Sequence, residues 1–295
     1  MVLFMYEIID AYPRFAELWP RIQRFDDDVA MNVLLNYLSE YKLLEILLED
    51  LSKFVTDWRD IAKQVVLPKL RVLGNSLGVL RDRLILLIPR VYDEFMRFWG
   101  LDIDVVFVVY VGLYCGAGWA YEYRGRRAVL LDLLAIADLR WDSEEHLKGL
   151  LIHEMTHLVH GYLRGLTPRQ FEDLEEDPLA LLYIEGYAMR GEHLVMGKEL
   201  WRIANDREWV SWCRSNLGLL AREYLRRVEN GMPVNDFFGS WPEFMGKSQV
   251  GYFLGHEFVK ALERRYSFKE IATLPIEEVK EEAIQFLRNL ATSNS

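Results

Sequence analysis

Across Asn32 to Asp50 apolar residues recur three and four apart, at Val33, Leu34, Tyr37, Leu38, Tyr41, Leu44, Leu47 and Leu48, and on to Leu51. That is the period of an amphipathic α-helix whose apolar face seeks a core. Asp26, Asp27 and Asp28 stand just before it and would favour the positive end of its dipole. Pro68, Gly74, Gly78 and Pro89 divide the sequence that follows into further helical pieces. Near residue 102 the period changes: Asp104 to Val111 is a β-branched and aromatic run, read as a buried strand. After the Gly112 to Gly118 stretch, Trp119–Tyr123 and Arg127–Asp132 flank Arg124-Gly125-Arg126, a hairpin with Gly in its turn. Trp141-Asp142-Ser143 opens a new helix, with Asp142 as cap and Glu145 placed as in a capping box. It should run to about Leu163, before Gly165 and Pro168. From Leu179 onward the chain is again mostly helical, with breaks at Gly231, Pro233, Pro242 and Pro275. The pattern predicts an α+β protein: a helical N-terminal arm over 1–100, a small sheet and the capped helix within 101–200, and a helical C-terminal part over 201–295.

Composition narrows what such a fold could do. Of 295 residues 51% are hydrophobic, so disorder is excluded. The 45 Asp+Glu against 35 Lys+Arg leave a net charge of -10, which speaks against nucleic acid as a partner, because phosphates need clustered cations. Cys115 and Cys213 form no CxxC spacing, so neither a thiolate metal site nor a disulfide framework is expected, and a reducing compartment is. Met1 to Phe15 has no basic stretch ahead of its apolar residues, as a secretory signal would. The longest apolar run, Val105 to Leu113, falls far short of the ~20 residues that span a bilayer. A cytoplasmic protein with no membrane partner is expected.

The capped helix contains His153-Glu154-Met155-Thr156-His157, an HExxH sequence. Residues four apart on a helix differ by about 40° in direction and ~6 Å in height, so both imidazoles leave the same face and can share one tetrahedral ion. Glu154, beside the first histidine, can reach a water at such an ion without binding it. A catalytic zinc needs a third protein ligand and an open position. The metzincin pattern would put its last histidine at Leu163 and its glycine at His160, so it fails. Leu179 to Arg190 reads as a second helix bearing Glu185-Gly186-Tyr187-Ala188, a carboxylate followed by small residues that would let this helix lie close to the first. His193, Glu192 or a carboxylate from Glu172 to Asp177 could serve instead of Glu185, although that acidic stretch reads as a solvated loop. His160 reads as a supporting or surface histidine.

With HExxH at 153–157, EGxA at 185–188 and Gly251-Tyr252-Phe253-Leu254-Gly255 downstream, the sequence resembles the gluzincin metallopeptidases, and among them a family of predicted zinc-dependent proteases known mainly from sequence. The resemblance covers roughly residues 104–260; the N-terminal arm has no part in it. It implies a zincin-like fold, zinc (Zn2+) on His153, His157 and Glu185, Glu154 as the base, and Tyr252 as donor to the oxyanion. In place of His160 related sequences often carry Arg. His256, four residues after Tyr252 and on its face with Gly255, is a second candidate donor, and Gly255 would allow this helix to approach the motif helix. The expected substrate is a peptide or protein, paired antiparallel to an edge strand, for which Gly118 to Tyr123 is the candidate. Two alternatives stand beside hydrolysis of peptide bonds: a zinc-binding interaction protein without turnover, its cleft covered by the Leu-rich arm, and a zinc hydrolase of non-peptide amides or esters.

Overall fold

Tyr6–Asp10 forms the first strand, β1, at a point where the sequence shows no strand signal: its residues YEIID neither alternate nor run apolar. Its partner lies almost a hundred residues away, with Tyr6 opposite Val105 in parallel register, so only the folded chain reveals it. A computed structural model describes residues 5–54, 57–202, 207–239 and 244–293. The chain divides into two units, Met1–Leu151 and Ile152–Ser295.

In the first unit, β1 is followed by the helices α1 (Tyr12–Arg24), α2 (Asp27–Glu40), α3 (Leu44–Phe54) and α4 (Trp58–Ile61), a π-helical turn at Ala62–Val66, α5 (Leu67–Leu73), a 3-10 turn at Gly74–Ser76 and α6 (Leu77–Trp99). Asp26 caps α2 by accepting from Val29 N at 3.0 Å, with Asp27 and Asp28 in its first turn. The continuous apolar period across residues 32–50 belongs to two helices. Lys42 adopts φ +58° and Leu43 N bonds Leu38 O at 2.9 Å, a left-handed stop that ends α2 without a glycine to announce it. Conversely, Pro89 does not divide its segment: α6 runs through it. The missing N–H and the ring's clash cost about 3 kcal/mol. Ten buried residues, among them Leu84, Leu87, Ile88, Val91 and Phe95, offset that loss.

The sheet has the order β1-β2-β4-β3, with β2 at Val105–Tyr110, β3 at Gly118–Tyr123 and β4 at Arg126–Asp132. β2 runs parallel to both β1 and β4, and all six of its residues are buried, which is why it reads as an unbroken apolar run. β3 and β4 form the expected antiparallel hairpin, turned by Arg124 and Gly125 with φ of +52° and +74°. β3 is an edge strand of this sheet. At the end of β4, the buried Asp132 accepts from Gly112 N (2.9 Å), Tyr114 N (3.1 Å) and Leu134 N (2.9 Å). It thereby pins the glycine-bearing loop and caps α7 (Leu133–Asp138).

α8 spans Glu144–Leu163. Its cap is Ser143, whose Oγ accepts from His146 N at 3.1 Å, and not Asp142, which pairs with Arg83 instead. In the second unit follow α9 (Pro168–Glu172), a 3-10 turn at Asp173–Glu176, α10 (Pro178–Met196), α11 (Arg207–Ser215), α12 (Leu217–Glu229), α13 (Asn235–Phe238), α14 (Val250–Leu262), α15 (Phe268–Ile271) and α16 (Ile276–Ser293). The acidic stretch thus forms a short turn, with Asp177 capping α10 through Leu179 N and Ala180 N, where a loop was expected. Gly231 and Pro275 stand at helix ends as expected, while Pro242 lies outside the described residues.

Two glycines serve different neighbours from those expected. Gly186 does not bring α10 onto the motif helix: a Cβ there would stand 2.2 Å from the backbone C and O of Gly255 on α14. Gly255 in turn faces Leu182 O and Gly186, so α14 lies on α10 through it. The glycine of α10 that faces α8 is Gly191, whose added Cβ would lie 2.7 Å from Thr156 Cγ2. None of the described helices is long and apolar enough to cross a membrane.

Candidate metal centre

The four-residue spacing on α8 does what helix geometry requires. The Nε2 atoms of His153 and His157 stand 3.2 Å apart, with their rings steeply inclined at 75°. Glu185, in the middle of α10, brings Oε2 to 3.3 Å from His153 Nε2 and 3.6 Å from His157 Nε2. Among the described residues these three form the only His/Cys/Asp/Glu group able to hold a metal ion. All three side chains are largely withdrawn from water, at 5%, 7% and 14% exposure.

The donor set fits zinc. A tetrahedron with bonds of roughly 2.1 Å has edges of about 3.4 Å, and the separations here are 3.2, 3.3 and 3.6 Å. The chemistry fits as well: two imidazole nitrogens and a carboxylate oxygen converge, and Glu185 Oε2 has no hydrogen-bond partner in this buried place. Without a cation the cluster must hold a proton. Burial disfavours a charged His153, but the carboxylates of Glu185 and Glu192 beside its ring outweigh burial and push its pKa up to about 9. Burial would raise Glu185, yet the neighbouring His157 and His153 hold it well below the usual carboxylate range.

Glu154 is 7% exposed and its carboxylate makes no hydrogen bond or ion pair with the described residues. Burial raises its pKa, opposed by the two histidines. Tyr252, in the first turn of α14, lies with its ring 5.9 Å from that of His153 and 5.6 Å from Phe238. Burial lifts its phenol pKa well above the ordinary value, so the hydroxyl remains a donor at neutral pH. His256 is engaged elsewhere. Its Nε2 meets His193 Nδ1 at 3.0 Å, and its Nδ1 lies 3.2 Å from Glu257 Oε1. His160 is a core residue, hydrogen-bonded to the Tyr183 hydroxyl at 3.0 Å and covered by Phe171 and Tyr187.

One participant was not foreseen. Arg202, in the turn after α10, is 5% exposed and forms an ion pair with Glu192, which is fully buried. A single arginine after a helix end carries no sequence signal, and only the fold brings it to Glu192.

His193 gives the second unit a pH-dependent stability. It is 3% exposed; burial first, then the neighbouring His256, depress its pKa to about 4, against the opposing influence of Glu192 and Glu199. Above the unfolded value of ~6.5 the ring is neutral in both states and costs nothing. As pH falls from there towards 4, the unfolded chain takes a proton that the fold refuses, so stability drops by up to about 3 kcal/mol. Denaturant titrations at pH 7, 5.5 and 4.5 should show a decline that is shallower by that amount in His193→Gln. Equal slopes in the two proteins would exclude His193 as the source.

No known protein family, curated protein or solved structure matches this chain.

Proposed function

We propose that this chain is a zinc-dependent metallopeptidase with a zincin-like, gluzincin-type site. The observation that carries the proposal is the convergence of His153 Nε2, His157 Nε2 and Glu185 Oε2 at tetrahedral spacing, with the unpaired Glu154 carboxylate next to the first histidine. Zinc held there would supply Lewis acidity, polarising a carbonyl and lowering the pKa of water to about 7. Glu154 takes the proton of the attacking water and passes it to the leaving amine. Burial raises its pKa, which makes it a stronger base than an exposed glutamate. The Tyr252 hydroxyl donates to the oxygen on which negative charge develops, a contribution worth about 3 kcal/mol for donors of this kind. The net charge of -10 favours neutral or basic peptides. The two free cysteines accord with a reducing, cytoplasmic setting.

The test is elemental analysis of the purified chain together with hydrolysis of a diverse peptide library. One zinc per chain is expected, lost in His157→Ala and Glu185→Ala, with cleavage abolished by a chelator and restored by zinc. Absence of zinc from folded wild-type protein, or cleavage indifferent to chelation, would overturn the assignment. Zinc bound without any cleavage would instead favour a binding protein or a hydrolase of non-peptide bonds.

A further inference from the structure

Glu192 lies two turns beyond Glu185 on α10, and its side chain is wholly removed from solvent. Burying a carboxylate is costly, and even a buried ion pair is commonly no more stable than an apolar pair of the same volume. The Glu192–Arg202 pair therefore calls for an account other than stability. Its location supplies one. Glu192 Oε2 lies 3.7 Å from His153 Nδ1, the nitrogen on the other side of the ring from the Nε2 that meets His157 and Glu185. A shift of roughly half an ångström turns that contact into a hydrogen bond, and His153 Nδ1 has no other partner in its buried position. The turn that delivers Arg202 is itself held. His193 Nε2 donates to Leu200 O at 2.9 Å, its Nδ1 meets His256 at 3.0 Å, and Trp201 lies edge-on to both rings.

We propose that Glu192 and Arg202 are a positioning pair: Glu192 accepts from His153 Nδ1–H and so keeps the Nε2 lone pair turned towards Glu185, while Arg202 holds Glu192 in place. Neither residue ligates the metal or touches substrate. This rests on the zinc reading of His153, His157 and Glu185. Partners of this kind fix the tautomer and the direction of a ligating ring, and losing one typically weakens metal binding about 10–100-fold. In this role Arg202 works through Glu192, so removing it as well should weaken zinc binding no further than the loss of Glu192 alone.

The experiment measures the zinc dissociation constant of the full chain by competition with a chromophoric chelator. Wild type is compared with Glu192→Leu, Glu192→Gln, Arg202→Met and the double Glu192→Leu/Arg202→Met. Glu192→Leu should bind zinc about 10–100-fold more weakly; Glu192→Gln, which keeps an acceptor, should recover most of that loss, and the double variant should be no weaker than Glu192→Leu. Should Glu192→Leu fail to fold with Arg202 left uncompensated, the double variant lacks both charges and gives the same comparison. Folded variants that bind zinc as tightly as wild type overturn the proposal. A second readout does not depend on zinc: in 15N-histidine-labelled, metal-free protein the His153 Nδ1 proton should exchange slowly in wild type and fast in Glu192→Leu. If wild type binds no zinc, the metallopeptidase reading fails by itself, and equal exchange in the two proteins then removes the positioning role as well.

Discussion

Glu154→Gln should slow peptide hydrolysis by roughly 10²–10⁴-fold, the usual worth of a positioned general base, and leave zinc content and melting temperature as in wild type. Glutamine matches glutamate in size and keeps one acceptor but cannot take a proton from water. Little structure is at stake, because the Glu154 carboxylate makes no hydrogen bond or ion pair with the described residues. Burial already disfavours its charged form, so removing the charge relieves the fold if it does anything. The loss should therefore fall on kcat, with KM little changed, since the proton moves only as the transition state forms. Steady-state kinetics on a cleaved peptide, with zinc measured in the same samples, decides it. A variant that retains both zinc and full turnover would remove Glu154 from the chemistry.

Gly255→Val should strongly destabilise the second unit. A Cβ at this position would lie 2.3 Å from Leu182 O and 2.9 Å from Gly186 Cα, while one on Gly186 would meet the backbone of Gly255 at 2.2 Å. These obstacles are main-chain atoms of two helices, which cannot rotate aside as a side chain would. The helices must part instead, and that opens the contact beside Glu185 on α10 and Tyr252 on α14. Overpacking typically costs 1–3 kcal/mol, and an unyielding obstacle puts this case at about 3 kcal/mol or more. Against a total of roughly 5–15 kcal/mol that is a large fraction, equivalent to a fall in Tm of about 10 °C. Gly255→Ala is milder, because alanine's helix propensity returns up to ~1 kcal/mol. Calorimetry of the two variants checks the order; a Gly255→Val melting point equal to wild type would mean that the helices separate freely. Zinc affinity should fall with stability in the same series, since Glu185 is next to Gly186.

What the amino-acid order determined without help is what short-range geometry encodes. Histidines four apart on a helix must share a face, so His153 and His157 converge wherever α8 lies. The apolar run of β2 and the Arg124-Gly125 turn likewise state their own conformations, because a strand buried on both faces excludes polar residues and a two-residue hairpin needs positive φ. The carboxylate at Glu185 was legible as the leading candidate from its helix and from the resemblance, with its companions Glu192 and His193 left as alternatives. Only the fold separated the three, turning Glu185 towards the Nε2 atoms, Glu192 towards Nδ1 and His193 towards Leu200 and His256. Other features were beyond any local reading. β1 pairs with a strand almost a hundred residues away, Lys42 interrupts an apolar period that continues past it, and Gly186 meets Gly255 when its sequence context suggested α8. Periodicity shows which face of an element is buried. Which neighbour covers that face depends on how all the faces are satisfied together, and the buried partners of an arginine such as Arg202 exist only once that packing is complete.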